Sequence, residues 1–213
     1  LDFKQIEKNY LSSSVSVTTL DDFLMPEALR ALREFCLEST IYFDFSRNNF
    51  IGSTVSRGFN CDLLSQIAEE IKQCFPQVLG GHHLANIWVY RYNNQSKGVA
   101  AHADEGAVTF NLWITPDDAN LYQESGGLIV YTKDQPYDWD FKFYNKLKDT
   151  AIVEAEIARF LSDADTVTIP HRENRATLFH SNLFHKSDQI HFKEGYENRR
   201  MNITFLFGRR KSK

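Results

Sequence analysis

The chain has 213 residues, 42% of them hydrophobic and 24% charged, enough to bury a core without covalent staples. A formal charge of −4 and a pI near 6.0 supply no field that would gather nucleic acid, so no nucleic-acid partner is expected. No apolar run approaches the ~18 to 20 residues of a membrane span, the start Leu1-Asp2-Phe3-Lys4 has no signal-peptide pattern, and the cysteines are odd in number, so a soluble, cytoplasmic protein in a reducing setting is expected. Because the first residue is not Met, the N-terminus is expected to be trimmed, or the piece cut from a longer polypeptide.

Residues 1–83 read as helical support with strand punctuation. Asp21-Asp22 precede Pro26, a residue suited to a first helical turn, and Leu29, Leu32, Phe35 and Cys36 follow at spacings of three and four. A second helix is expected from Asp62 to Cys74, with Leu63, Leu64, Ile67, Ile71 and Cys74 as one stripe and Glu69, Glu70, Lys72 and Gln73 on the other face; Pro76 stops it. Cys36, Cys61 and Cys74 all fall in such helical spacing, where a thiol packs as a small hydrophobe.

From Leu84 the texture changes to short runs of Val, Ile, Tyr, Phe, Trp and Thr between turns such as Asn93-Asn94, Pro116-Asp117-Asp118 and Gly126-Gly127. Strands are expected near Asn86 to Tyr92, Val108 to Ile114, Gly127 to Tyr131, Asp165 to Ile169, Arg175 to Phe179 and Arg200 to Phe207. The stretch 135–162 interrupts them as an insertion. It carries a helix-like piece from Asp140 to Leu161 with Phe143, Leu147, Ile152, Ile157, Phe160 and Leu161 as buried candidates, and is either a packing decoration or a cover over a site. The basic end Arg209-Arg210-Lys211-Ser212-Lys213 is expected to be solvated and frayed. One domain over 1–213 accounts for the whole, with its strand core over 84–208.

Chemistry concentrates around His102-Ala103-Asp104. On extended backbone, residues i and i+2 point to the same side, so an imidazole and a carboxylate can face one centre. Iron(II) oxygenases use two histidines and one carboxylate on one face of an octahedron. The second histidine has four downstream candidates, His171, His180, His185 and His191.

The run Arg175-Ala-Thr-Leu-Phe-His-Ser-Asn-Leu-Phe-His185-Lys-Ser, followed by Gly195-Tyr196-Glu197-Asn198-Arg199-Arg200-Met201-Asn202-Ile203-Thr204, resembles the closing half of the 2-oxoglutarate/iron(II) dioxygenases, especially the prolyl-hydroxylase-like group. The resemblance selects His185, with His180 in reserve, and so implies His102, Asp104 and His185 as metal ligands. It also implies an arginine on the last strand for the distal carboxylate of 2-oxoglutarate. Arg199 and Arg200 both qualify, and alternation favours Arg200, which shares a polar face with Asn202 and Thr204 while Met201, Ile203, Phe205 and Phe207 share an apolar one. Arg200-x-Asn202-x-Thr204 is also similar to the Arg-x-Asn-x-Thr of the superfamily's nucleic-acid demethylase branch.

Further co-substrate positions implied are Tyr90 or Tyr92 on the strand before the metal motif, Asn202, and Asn111; Trp113, on the same face as Thr109 and Asn111, is a substrate candidate. Gly126-Gly127 is expected to be a structural tight bend. The fold implied is mainly β with flanking helices (α+β): a double-stranded β-helix, a jelly roll or cupin-like barrel braced by N-terminal helices. The cofactors implied are Fe(II), 2-oxoglutarate as co-substrate and O2, with no catalytic residue beyond the metal centre. The activity implied is hydroxylation of a peptidyl side chain, amino acid or other small metabolite with release of succinate and CO2, and Asp104 argues against halogenation. The rivals are a cupin-like isomerase, for which the first motif has too few histidines, and a non-catalytic ligand-binding or structural jelly-roll module.

Overall fold

The computed structural model describes residues 1–46, 49–136, 138–139 and 150–210. In chain order these form α1 (Phe3–Ser12), β1 (Val17–Leu20), α2 (Pro26–Glu38), β2 (Asp44–Ser46), β3 (Phe50–Thr54), α3 (Asp62–Cys74), α4 (Pro76–Leu79), β4 (Leu84–Tyr92), β5 (Gln95–Ser96), β6 (Val108–Trp113), β7 (Leu128–Asp134), α5 (Thr150–Phe160), β8 (Thr166–Ile169), β9 (Ala176–His180), β10 (Leu183–Ser187), β11 (Ile190–His191) and β12 (Met201–Phe207).

Seven strands make a major sheet in the order β1-β9-β6-β12-β4-β3-β2, three make a minor sheet, β10-β7-β8, and β11 pairs with β5; every pairing is antiparallel. The six expected strands all form, because each combines β-branched or aromatic residues with turn residues at its ends. β10 was not anticipated, since Lys186 and Ser187 read as the polar exit of a turn, yet His185 and Lys186 pair with Val130 and Ile129.

The N-terminal third is more than helical support. β1 adds to the major sheet beside β9, and β3 and β2 extend it beyond β4. These strands were not placed from sequence because they are short and carry little periodic signal. α2 begins at Pro26 and α3 spans Asp62–Cys74, as expected. Leu64, Ile67, Ala68 and Ile71 of α3 pack into a core that includes Leu32 and Cys36 of α2 and Ile203, Phe205 and Phe207 of β12. The helices therefore cover the apolar face of the major sheet. Cys61 lies just before α3 rather than within a helix, and is half-buried like Cys74.

The other face of the major sheet meets the minor sheet through Trp113 and Phe179 against Leu128, Val130, Ile169 and Leu183. Of the insertion, the described helix is Thr150–Phe160. Ile157 and Leu161 are buried as expected, but Ile152 is 70% exposed and Val153 turns inward in its place, one step round the helix. Phe143 and Leu147 lie outside the described residues. The expected fraying of the basic end is corrected at Arg210, which donates to the carbonyl of Pro136 at 3.0 Å. Among the described residues, no helix is long and apolar enough to cross a membrane.

Candidate metal centre

His102 and His185 are set opposite each other by the main chain. The His102 amide donates to the His185 carbonyl at 3.0 Å and the His185 amide to the His102 carbonyl at 2.8 Å, a two-residue bridge joining the His102 segment to β10. Asp104, two positions on, is anchored through its amide to the Ser181 carbonyl at 3.0 Å. The three side chains converge: their ligand atoms lie within 4.8 Å of one another, the one such group among the described residues. His180, the reserve, is not part of it; its Nδ1 lies 3.9 Å from Asp134, with the side chain 41% exposed. His171 is buried elsewhere, bonded through Nε2 to the Thr115 carbonyl at 3.0 Å, and His191 stacks edge-on to Tyr122.

The protonation pattern suits a cation. His102 Nδ1 meets the Ala100 carbonyl at 2.8 Å and His185 Nδ1 the Leu183 carbonyl at 3.0 Å. A carbonyl only accepts, so Nδ1 is the donor on both rings, which leaves Nε2 as the nitrogen whose lone pair a metal would use. Those atoms face Asp104, His102 Nε2 at 3.7 Å from Oδ1 and His185 Nε2 at 3.6 Å from Oδ2. Burial, with His102 adding to it and Asp104 opposing, pushes His185 down to about 4, so it is neutral at pH 7. Two imidazole nitrogens and a carboxylate converging on one point are a donor set that a shared divalent cation can bridge. Asp104 Oδ2 also accepts from Thr109 Oγ1 at 2.8 Å, and Ser181 Oγ lies 2.8 Å from that hydroxyl, a relay that orients the carboxylate.

The triad lines one end of a cavity whose other end is Arg200, with Trp88, Tyr90, Tyr92, Thr109, Asn111, Leu128, Phe179, Asn202 and Thr204 among its walls. Arg200 is 2% exposed and has no acidic partner within salt-bridge reach among the described residues. Its Nε donates to the Gly126 carbonyl, one terminal nitrogen to the Gly127 carbonyl at 3.1 Å and the other to Asn202 Oδ1 at 3.0 Å. The Tyr92 ring lies 4.7 Å from the guanidinium. Burial works against the charged form, lowering its pKa, with Tyr92 and Asp188 opposing. Gly126-Gly127 therefore does more than bend the chain, because its carbonyls aim the guanidinium. A Cβ at Gly127 would sit 1.9 Å from the Ile169 carbonyl, so the close approach requires glycine.

The expected polar positions come together on the floor. Asn111 Oδ1 accepts from Asn202 Nδ2 and from Thr204 Oγ1, both at 2.9 Å, so Arg200, Asn202, Asn111 and Thr204 form one hydrogen-bonded chain. Tyr90 and Tyr92 both reach the cavity, with ring centres 6.3 Å apart. Burial raises the Tyr90 phenol above its ordinary range and keeps it a donor. Trp113 is placed differently. It is fully buried, 5.8 Å from the Arg200 guanidinium and outside the cavity lining, so it supports the arginine from behind, where a substrate would not reach it. Sequence reasoning missed Trp88, although alternation puts it on the face of Tyr90 and Tyr92, and the anchoring role of Thr109.

Solved structures share this architecture. The non-heme alpha-ketoglutarate-dependent epimerase SnoN from nogalamycin biosynthesis matches with a TM-score of 0.67 at 12% identity, over 97% of this chain and 83% of that one. HygX from Streptomyces hygroscopicus, with nickel and 2-oxoglutarate bound, gives 0.61 at 12% identity over 95% and 86%. A Pseudomonas putida prolyl-4-hydroxylase gives 0.58 at 13% identity over 98% and 100%. The likeness is one of fold: the chain has the double-stranded β-helix of the 2-oxoglutarate-dependent oxygenases, prolyl hydroxylases among them, as its residues led one to expect. No protein-family model and no curated protein sequence matches it.

Proposed function

We propose that this chain is an iron(II)- and 2-oxoglutarate-dependent oxygenase that hydroxylates an unactivated C–H bond of a small-molecule or peptidyl substrate. The observation that carries the reading is one cavity lined both by three converging metal-ligand side chains and by a buried arginine without an acidic partner among the described residues. A divalent cation and a dicarboxylate together balance both, and a fold shared with a 2-oxoglutarate-bound protein supports that pairing.

His102 Nε2, His185 Nε2 and an Asp104 oxygen would hold the metal, and Thr109 and the two backbone carbonyls at Nδ1 keep those donors aimed. Iron(II) with 2-oxoglutarate and O2 supplies the oxidising chemistry, with succinate and CO2 as co-products. Arg200 would take the distal carboxylate with the N–H bonds its three protein acceptors leave over, a task suited to a planar fork. Asn202, Asn111 and Tyr92 hold that fork in place. Leu128, Phe179 and Val99 supply apolar wall that excludes water around the reacting centre, and Trp88 and Tyr90, both half-buried, offer a substrate an aromatic surface. A single domain and a cytoplasmic setting belong to the same proposal, supported by one cavity built from both sheets and by a Cys36 thiol buried in the core.

The test is anaerobic titration with iron(II) and 2-oxoglutarate. A weak visible charge-transfer band is expected, lost in His102→Ala and in Arg200→Ala; no band from the folded wild-type protein at saturation overturns the reading. Because SnoN is an epimerase, product analysis after oxygen is admitted then separates hydroxylation from other outcomes of C–H cleavage.

A further inference from the structure

We infer that α5 and the residues around it position the metal ligands from behind, with Ile157 and Val153 as positioning residues. His102 and His185 point into the cavity, so their chain neighbours Ala103 and Phe184 turn the opposite way. Both are fully exposed to nothing but protein: each is 0% accessible, and they share one apolar cluster with Val153, Ile157 and Leu161. The Phe184 ring has Phe160 at 6.0 Å and Trp139 at 6.2 Å, both in T-shaped or tilted contact. Lys133 of β7 fastens the helix end, donating to the Phe160 carbonyl at 2.8 Å and to Asp163 at 2.7 Å.

The described part of the insertion therefore stands behind the two ligand-bearing segments. It contributes no residue to the cavity wall. Of the two roles open to it, cover or packing element, the geometry points to packing, but packing with a specific object. The bridge between His102 and His185 fixes their separation, while nothing in that bridge fixes the distance of the pair from Asp104, which is tied to Ser181 instead. Packing of α5 against Ala103, the one residue between His102 and Asp104, and against Phe184, next to His185, holds the two segments in their mutual orientation. A ligand set left loose by about 1 Å loses affinity even when every ligand is present.

This inference rests on the proposed metal site, and its test separates the two. Manganese(II) is titrated into the metal-free protein, with free ion read by its EPR signal, and thermal stability is measured without metal. Ile157→Ala, which opens a cavity behind the ligands, is expected to weaken manganese(II) binding about tenfold, and Ile157→Val to recover most of it. Ile71→Ala, in the core on the far side of the major sheet, serves as the control: it is expected to lower the melting temperature comparably and leave manganese(II) affinity unchanged. Should Ile157→Ala not fold, Ile157→Val and Val153→Ala carry the test, each with a two- to threefold loss expected on the order of its smaller truncation. Wild-type binding with no loss in the α5 variants, or an equal loss in Ile71→Ala, overturns the inference and leaves the proposed function standing. A wild-type protein that binds no manganese(II) overturns both.

Discussion

The two faces of β12, at the centre of the major sheet, are both buried and do opposite work. On β12, Met201, Ile203, Phe205 and Phe207 face the helices, while Arg200, just ahead of the strand, and Asn202 and Thr204 face the cavity, none of the seven more than 6% exposed. Each face also holds a buried arginine without an acidic partner among the described residues. Arg91, on the helix side, is enclosed by structure: it donates to the Cys36 carbonyl at the end of α2 at 2.9 Å, reaches Met201 Sδ, and has the rings of Tyr42 and Tyr196 at 4.9 and 3.9 Å, with only its Nη1 left without a hydrogen-bond partner. A helix C-terminus and two aromatic faces are what a buried cation needs. Arg200 has a Tyr92 ring and carbonyls on one side and open cavity on the other. The first arginine is walled in by the fold; the second borders a cavity, where the proposed co-substrate would meet it.

Phe205→Ala attacks the helix side and should have the largest effect, a loss of about 3–5 kcal/mol in denaturant unfolding of the metal-free protein, with 2-oxoglutarate affinity unchanged in the folded fraction. Arg200→Met attacks the cavity side. It should weaken 2-oxoglutarate binding by about 100-fold while leaving unfolding stability equal or higher, since removing a buried charge that has no acidic partner among the described residues offsets the loss of its three hydrogen bonds; a destabilised Arg200→Met would erase the contrast between the two arginines. Thr109→Val sharpens it at the other end of the cavity. The Asp104 carboxylate loses its donor, and metal affinity in a manganese(II) titration should fall about tenfold with little change in melting temperature.

The smallest effect concerns pH. Burial, with Arg200 adding to it, pushes His171 down to about 3 from an ordinary 6.5, and burial pushes His185 down to about 4. Between those values and 6.5 the unfolded chain takes up protons that the folded chain refuses, so stability is full above about 6.5 and falls as the pH drops below it. His171→Phe removes one of these groups. Its melting temperature, plotted against pH, should decline less steeply into acid than that of the wild-type protein, and an unchanged slope would assign the acid limb to other groups.

The sequence carried the long strands and the His102–Asp104 pair because both rest on short-range pattern, whereas His185 was reached through the family resemblance. Alternation alone separated Arg200 from Arg199, and the spacing of His102 and Asp104 anticipated one shared direction. What it could not carry was pairing between distant segments. β2 and β3 have too few residues for a periodic signal, and their place beside β4 follows only from the finished sheet. Trp113 shared its face with Asn111, but β9 and the minor sheet close over it before the cavity begins. The carbonyls of Gly126 and Gly127 have no side-chain signature at all, although they hold the arginine on which the proposed co-substrate site depends.

The reciprocal amide bonds between His102 and His185 have a consequence for redesign. They are made by backbone atoms, so the two Cα positions keep their separation whatever side chains they bear. Cysteine or carboxylate could replace either imidazole on an unaltered chassis, and the choice among soft and hard metals at this seam becomes a matter of composition, free of architecture.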